Sequence, residues 1–124
     1  MGKISDAFVQ YTFDILMRFC FSCLFLCPVR ISSDVLIASN VHFINRNDHS
    51  YNQVGKTIYQ ADRGNIGKIT VGNDVWIGQS AVLLAPLNIG RGSIVAAGAV
   101  VLDDVPENSI VAGNPARLIS KRFT

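Results

Sequence analysis

Few residues in this sequence can carry chemistry. Two histidines, three cysteines and nine acidic residues are spread over 124 positions. His49 stands in FINRNDHSYNQ, residues 43–53, where a regular pattern on one side stops before another begins. Histidine changes protonation near neutrality, so a single imidazole suits the work of a general base. Asn47 and Asp48 beside it are candidates to orient the ring. His42 is the competing imidazole, but its place in the pattern is that of an ordinary outward-facing residue. Two histidines per chain do not supply a three-histidine zinc site. Cys20, Cys23 and Cys27 are spaced by three and four, as on one face of a helix, and read as core. Their odd number argues against a disulfide framework, and with no fourth ligand nearby no metal is expected.

What must position these residues is a repeat. From residue 71 an aliphatic residue recurs every six positions: Val71, Ile77, Leu83, Ile89, Val95 and Val101. Four residues after each comes another small or apolar one: Val75, Ala81, Leu87, Ser93, Ala99 and Val105. Neither a helical nor an alternating strand period fits. A period of six is the signature of a parallel β-helix, each hexad forming one side of a triangular coil. Residues 71–106 make two coils. Ile31, Ile37 and Phe43, followed by Val35, Val41 and Asn47, make a third over 31–48. The interval from Phe43 to Val71 is not a multiple of six, so 49–68 must leave the helix as an excursion and return. Long ordered loops are usually functional, and His49 stands at the departure. Residues 8–30 keep no period of six. The chain therefore divides into a 1–30 capping segment, for which a helix would serve, and a 31–124 repeat domain ending in a short C-terminal segment. The fold class is all-β.

Composition narrows the functions. A net charge of +2 with no basic run excludes nucleic acid as a partner. Hydrophobic residues make up 49% and charged residues only 16%, an apolar excess that needs a partner subunit or a membrane to cover it. FCFSCLFLC, residues 19–27, is shorter than the about 20 apolar residues of a bilayer span. No stable membrane insertion is expected, and the location read from this is cytoplasmic.

DVWIG at 74–78, AGNPAR at 112–117 and a histidine at the excursion resemble the hexapeptide-repeat acyltransferases. Within them the chain is similar to maltose/galactoside acetyltransferases and bacterial polysaccharide O-acetyltransferases. The resemblance covers residues 31–122. It implies a left-handed parallel β-helix and a homotrimer with acetyl-CoA and a sugar or glycan acceptor meeting between subunits. It implies that His49 is the base for transfer to a sugar hydroxyl and that Trp76 walls the acceptor, with Asn47 and Asp48 at hand. Gly78, Gln79 and Ala97 would face the pantetheine arm, and Arg117 and Lys121 the phosphates, with Arg122 a further helper. Asp103 stands where such proteins carry a basic residue, and the non-periodic 8–30 replaces a coil that normally binds acceptor. Serine O-acetyltransferase and a non-catalytic or truncated β-helix subunit stay open as alternatives.

Overall fold

An extended segment with two inward side chains separated by one outward residue makes one flat side of a coil, and polar or glycine residues turn the corner. The computed structural model describes residues 2–5, 9–13 and 22–123. Its strands are β1 (Gly2–Ser5), β2 (Val9–Phe13), β3 (Leu24–Phe25), β4 (Val29–Ile31), β5 (Leu36–Ile37), β6 (His42–Asn45) and β7 (Ile69–Val71). They continue with β8 (Trp76–Ile77), β9 (Val82–Ala85), β10 (Leu87–Ile89), β11 (Ile94–Val95), β12 (Val100–Val101), β13 (Ser109–Gly113) and β14 (Ala116–Lys121). They stack into three sheets: β1-β2-β4-β7-β10, β14-β13-β11-β8-β5 and β12-β9-β6-β3. All pairings are parallel except the hairpins β1–β2 and β13–β14 at the two ends. The architecture is a left-handed parallel β-helix.

Both sets of repeat residues point inward. Val71, Ile77, Leu83, Ile89, Val95 and Val101 are buried, and so are Val75, Ala81, Leu87, Ser93, Ala99 and Val105. In the earlier coil Val29, Ile31, Val35, Ile37, Val41 and Phe43 do the same. Stacked identical positions build ladders such as Phe43–Leu83–Val101, so each coil covers the face of the next. Phe25 lies flat on Phe43, with ring centroids 4.7 Å apart and planes 6° from parallel.

The outward rows differ among the three sides. The first side carries Arg30, Thr70 and Asn88 in register. The second carries Leu36, Trp76, Ile94 and Ile110. The third carries Leu24, His42, Val82 and Val100. One side is polar and two are largely apolar.

The structure corrects the sequence reading in three places. The chain leaves the coil after Asn45, the last residue of β6, and returns at Ile69, so the excursion is 46–68 and not 49–68. Asn47 is consequently exposed outside the barrel, and Asn45 occupies an inward position. Within 1–30 the described residues form strands and no helix. β3 continues the repeat one side further back than the period alone indicated, while residues 14–21, including Cys20, lie outside the described residues. The cysteine spacing therefore does not mark a helical face: Cys27 is a buried free thiol at a coil corner, and Cys23 is disulfide-bonded.

Candidate functional site

Small residues let backbones approach where the second side turns into the third. Gly78 donates its N–H to Val95 O at 2.7 Å. A Cβ there would lie 2.8 Å from the Ala96 carbonyl carbon and closer still to the Ala97 nitrogen, so only glycine fits without displacing a coil. Next to this contact lies a cavity of about 500 Å³ lined by Ala38, Trp76, Gly78, Gln79, Ile94, Val95, Ala96 and Ala97. Four residues singled out from sequence, Trp76, Gly78, Gln79 and Ala97, thus come together. Trp76 is 50% exposed along one wall. Among the described residues the Ala97 N–H has no acceptor, whereas Ala96, Gly98 and Ala99 donate to Val111 O, Gln79 O and Ala96 O.

His49 is in a second cavity, of about 280 Å³, lined by Asn47, His49, Ser50, Tyr51, Asn52, Gly64 and Asn65. The two cavities share no residue. His49 sits on the outgoing arm of the excursion, and the returning arm braces it on both sides. Gly64 N–H points to Asp48 O at 3.4 Å, and Ser50 N–H donates to Asp62 O at 2.9 Å. Gly64 itself lies against the Asn47 carbonyl, leaving no room for a side chain. Gln53 pairs twice with Asp62, whose carboxyl is held below the usual carboxylate range first by that hydrogen bond and then by Lys56. The imidazole of His49 has no hydrogen-bond partner among the described residues. Asp48 does not orient it: its carboxylate meets the Asn45 amide at 3.5 Å. His42 faces outward, with Nε2 3.1 Å from Asn40 Oδ1.

Asn45 is the residue the sequence reading missed. It is 7% exposed and stands one coil below Ala85 in register. Its Nδ2 donates to Asn65 O at 3.1 Å, and its Oδ1 accepts from Gly67 N–H at 3.0 Å. The signal was an amide two residues after Phe43, where the next coil has Ala85 two after Leu83. A buried amide with all its bonds made is a structural investment.

Arg117 and Lys121 line neither cavity, whereas Arg122 lines a hollow of about 180 Å³ that shares Trp76 and Ile94 with the first. Arg117 on β14 lies 3.8 Å from Asp103, at a hollow of about 240 Å³ that both line. Lys121 turns its Nζ to the buried Ser109 hydroxyl at 3.1 Å. Arg122 is committed to Asp74 at 2.7 Å and Gly92 O at 3.2 Å. Among the described residues no three His, Cys, Asp or Glu side chains gather as a metal-holding group, and no helix is long and apolar enough to cross a membrane.

Comparison with known proteins decides the class of the repeat. Residues 68–103 match the bacterial transferase hexapeptide (six repeats) family. Those residues of the chain carry the hexapeptide repeat. The chain resembles acetyltransferases in both sequence and structure. Over 58 residues it is 45% identical to a chloramphenicol acetyltransferase of Klebsiella aerogenes, covering 47% of this chain and 28% of that one. A maltose O-acetyltransferase from Clostridium difficile 630 superposes with a TM-score of 0.71 at 25% identity, over 94% of this chain and 60% of that one. A galactoside acetyltransferase in complex with coenzyme A gives 0.58 at 25% identity, over 92% and 59%. This hexapeptide-repeat chain thus spans under two thirds of the length of these relatives.

Proposed function

We propose that the chain transfers an acetyl group from acetyl-CoA to a hydroxyl of a sugar or glycan, with His49 as general base, in a homotrimer. The observation that carries this reading is the apolar cavity at Gly78, where a free amide and a bare backbone stand beside Trp76. A pantetheine arm is narrow, flexible and amide-bearing, and such a groove of small residues suits it. The coenzyme A in a structural neighbour of the same fold supports the choice of donor. Arg117 and Lys121 supply cations for the phosphates, and Arg117 must first leave Asp103.

The acceptor belongs in the polar cavity of His49. Asn47, Ser50, Asn52 and Asn65 surround His49 with donors and acceptors that fit a polyhydroxylated molecule, and Asp48 precedes it in the chain. His49 takes the hydroxyl proton as the oxygen attacks the thioester carbonyl carbon. The C–S bond then breaks, and the departing thiolate of CoA receives that proton. The Ala97 N–H is available to hold the developing oxyanion. Because the two cavities share no residue within one chain, the reaction needs His49 of one subunit beside the Trp76 cavity of the next. The two apolar sides of the prism favour this arrangement: packed against each other around a threefold axis, they leave the polar side to water. A requirement for acetyl-CoA fits a cytoplasmic location.

Release of free CoA from acetyl-CoA, measured with a panel of sugars, serine and chloramphenicol, tests the reading. Turnover with sugars and not with serine is expected. Binding of CoA without turnover on any acceptor would instead establish a non-catalytic subunit.

A further inference from the structure

We infer that Asn45 is a positioning residue for His49, acting through the two arms of the excursion; this rests on the proposal that His49 is the base. Within three residues of leaving β6 the chain must turn outward, run to His49 and stay there without help from the stacked coils. Among the described residues no side chain bonds the imidazole itself, so its placement depends on its backbone. That backbone is tied to the returning arm at Asp48 and Ser50. The returning arm is in turn fixed where it re-enters the barrel, at Asn65 and Gly67, and both of those bonds end on the Asn45 amide. The same Nδ2 reaches the Asp48 carboxylate on the outgoing arm. One buried side chain thus joins the exit, the return and the residue before His49.

Both functional groups of the amide are needed. Its carbonyl oxygen accepts from Gly67, and its NH₂ donates to the Asn65 carbonyl and to Asp48. Aspartate would keep the first bond, lose both donors and set a second carboxylate against Asp48. Alanine would leave the Gly67 N–H and the Asn65 carbonyl without their partner in a water-poor site. In either variant the arms can part while the coils, held by their own ladders, stay stacked. The Trp76 cavity shares no residue with this joint, so donor binding should not feel the change.

A double-mutant cycle on the full chain tests this. Asn45→Ala should lower kcat by about 10- to 100-fold, the scale of a misplacement near 1 Å, with KM for acetyl-CoA within twofold of the parent. In the His49→Ala background the same substitution should cost nothing further, because a base that is absent cannot be mispositioned. If the two losses multiply, Asn45 acts independently of His49 and the inference is overturned, while His49 remains the base. If His49→Ala is fully active, the base assignment and the inference fall together, a result the single variants already distinguish. Should Asn45→Ala not fold, the isosteric Asn45→Asp takes its place in the same cycle with the same expectations.

Discussion

At the scale of single residues, three substitutions separate the roles assigned above. His49→Ala should reduce kcat by about 10²–10⁴-fold and leave acetyl-CoA binding intact, since the imidazole lines the polar cavity and not that of Trp76. His42→Ala is the control and should stay near the parent rate, because among the described residues its ring bonds Asn40 alone. Arg117→Ala should raise KM for acetyl-CoA with kcat nearly unchanged, and Asp103→Asn should lower it by freeing the same guanidinium. Equal affinity for CoA and 3′-dephospho-CoA in the parent would remove Arg117 from the 3′-phosphate. Cys27 offers a different test. Burial, and then the charge of Asp48, push its thiol up to about 11 from an ordinary value of 9.0. The folded state thus holds the neutral thiol more firmly than the unfolded chain does. Its contribution to stability is complete below pH 9 and declines as the pH rises from there towards 11. Urea midpoints should fall across that window, and the fall should be smaller in Cys27→Ala. Iodoacetamide at pH 8 should label Cys27 only after unfolding.

At the scale of elements, the coil corner at Gly78 is the most sensitive joint. Gly78→Ala would drive a methyl group into the Ala96–Ala97 backbone. Overpacking of that kind costs about 1–3 kcal/mol, so thermal unfolding should come at lower temperature and acetyl-CoA binding should weaken with it. An unchanged Tm and KM would mean the coils are not in contact there. This joint was legible in the sequence because contrast made it so: from 71 to 106 aliphatic, polar and glycine positions alternate sharply enough to show the period. The N-terminal coil was hidden for the opposite reason. In FCFSCLFLC nearly every position is apolar, so the inward Phe25 and Cys27 cannot be told from the outward Leu24 and Leu26. The excursion was visible as an interval that broke the count, but its start was read too late. Asn47 keeps the right spacing from Phe43 while Asn45, which keeps none, goes inside. Pairing across the excursion, from Asn45 to Asn65 and Gly67, joins residues some twenty positions apart and has no local sequence signature. For the same reason sequence could place His49 at the loop but not show that its cavity and that of Trp76 are separate.

At the scale of the whole molecule, two apolar sides on a three-sided prism make assembly the central question. Sedimentation at micromolar concentration should give a mass near three chains of 13.5 kDa each. Val82→Glu, on the outward row of the third side, should yield monomers that keep the β-helix signature in circular dichroism. Such a charge has no partner when that side is covered, and burying it unpaired costs several kcal/mol. Those monomers should also be inactive; full activity in a monomer would place the whole site within one chain. The hairpin of β13 and β14 bears on a different kind of association. A stack of parallel strands is open-ended, because its last rung exposes the same hydrogen-bonding groups that recruited every earlier one. β14 turns back along β13 and so covers one of the three sides of that rung with a strand of reversed direction, carrying Arg117 and Lys121 along its length. Another parallel coil can no longer add in the same way, and like charges repel a second copy of the edge. On that side the hairpin therefore blocks end-to-end growth of one molecule on the next.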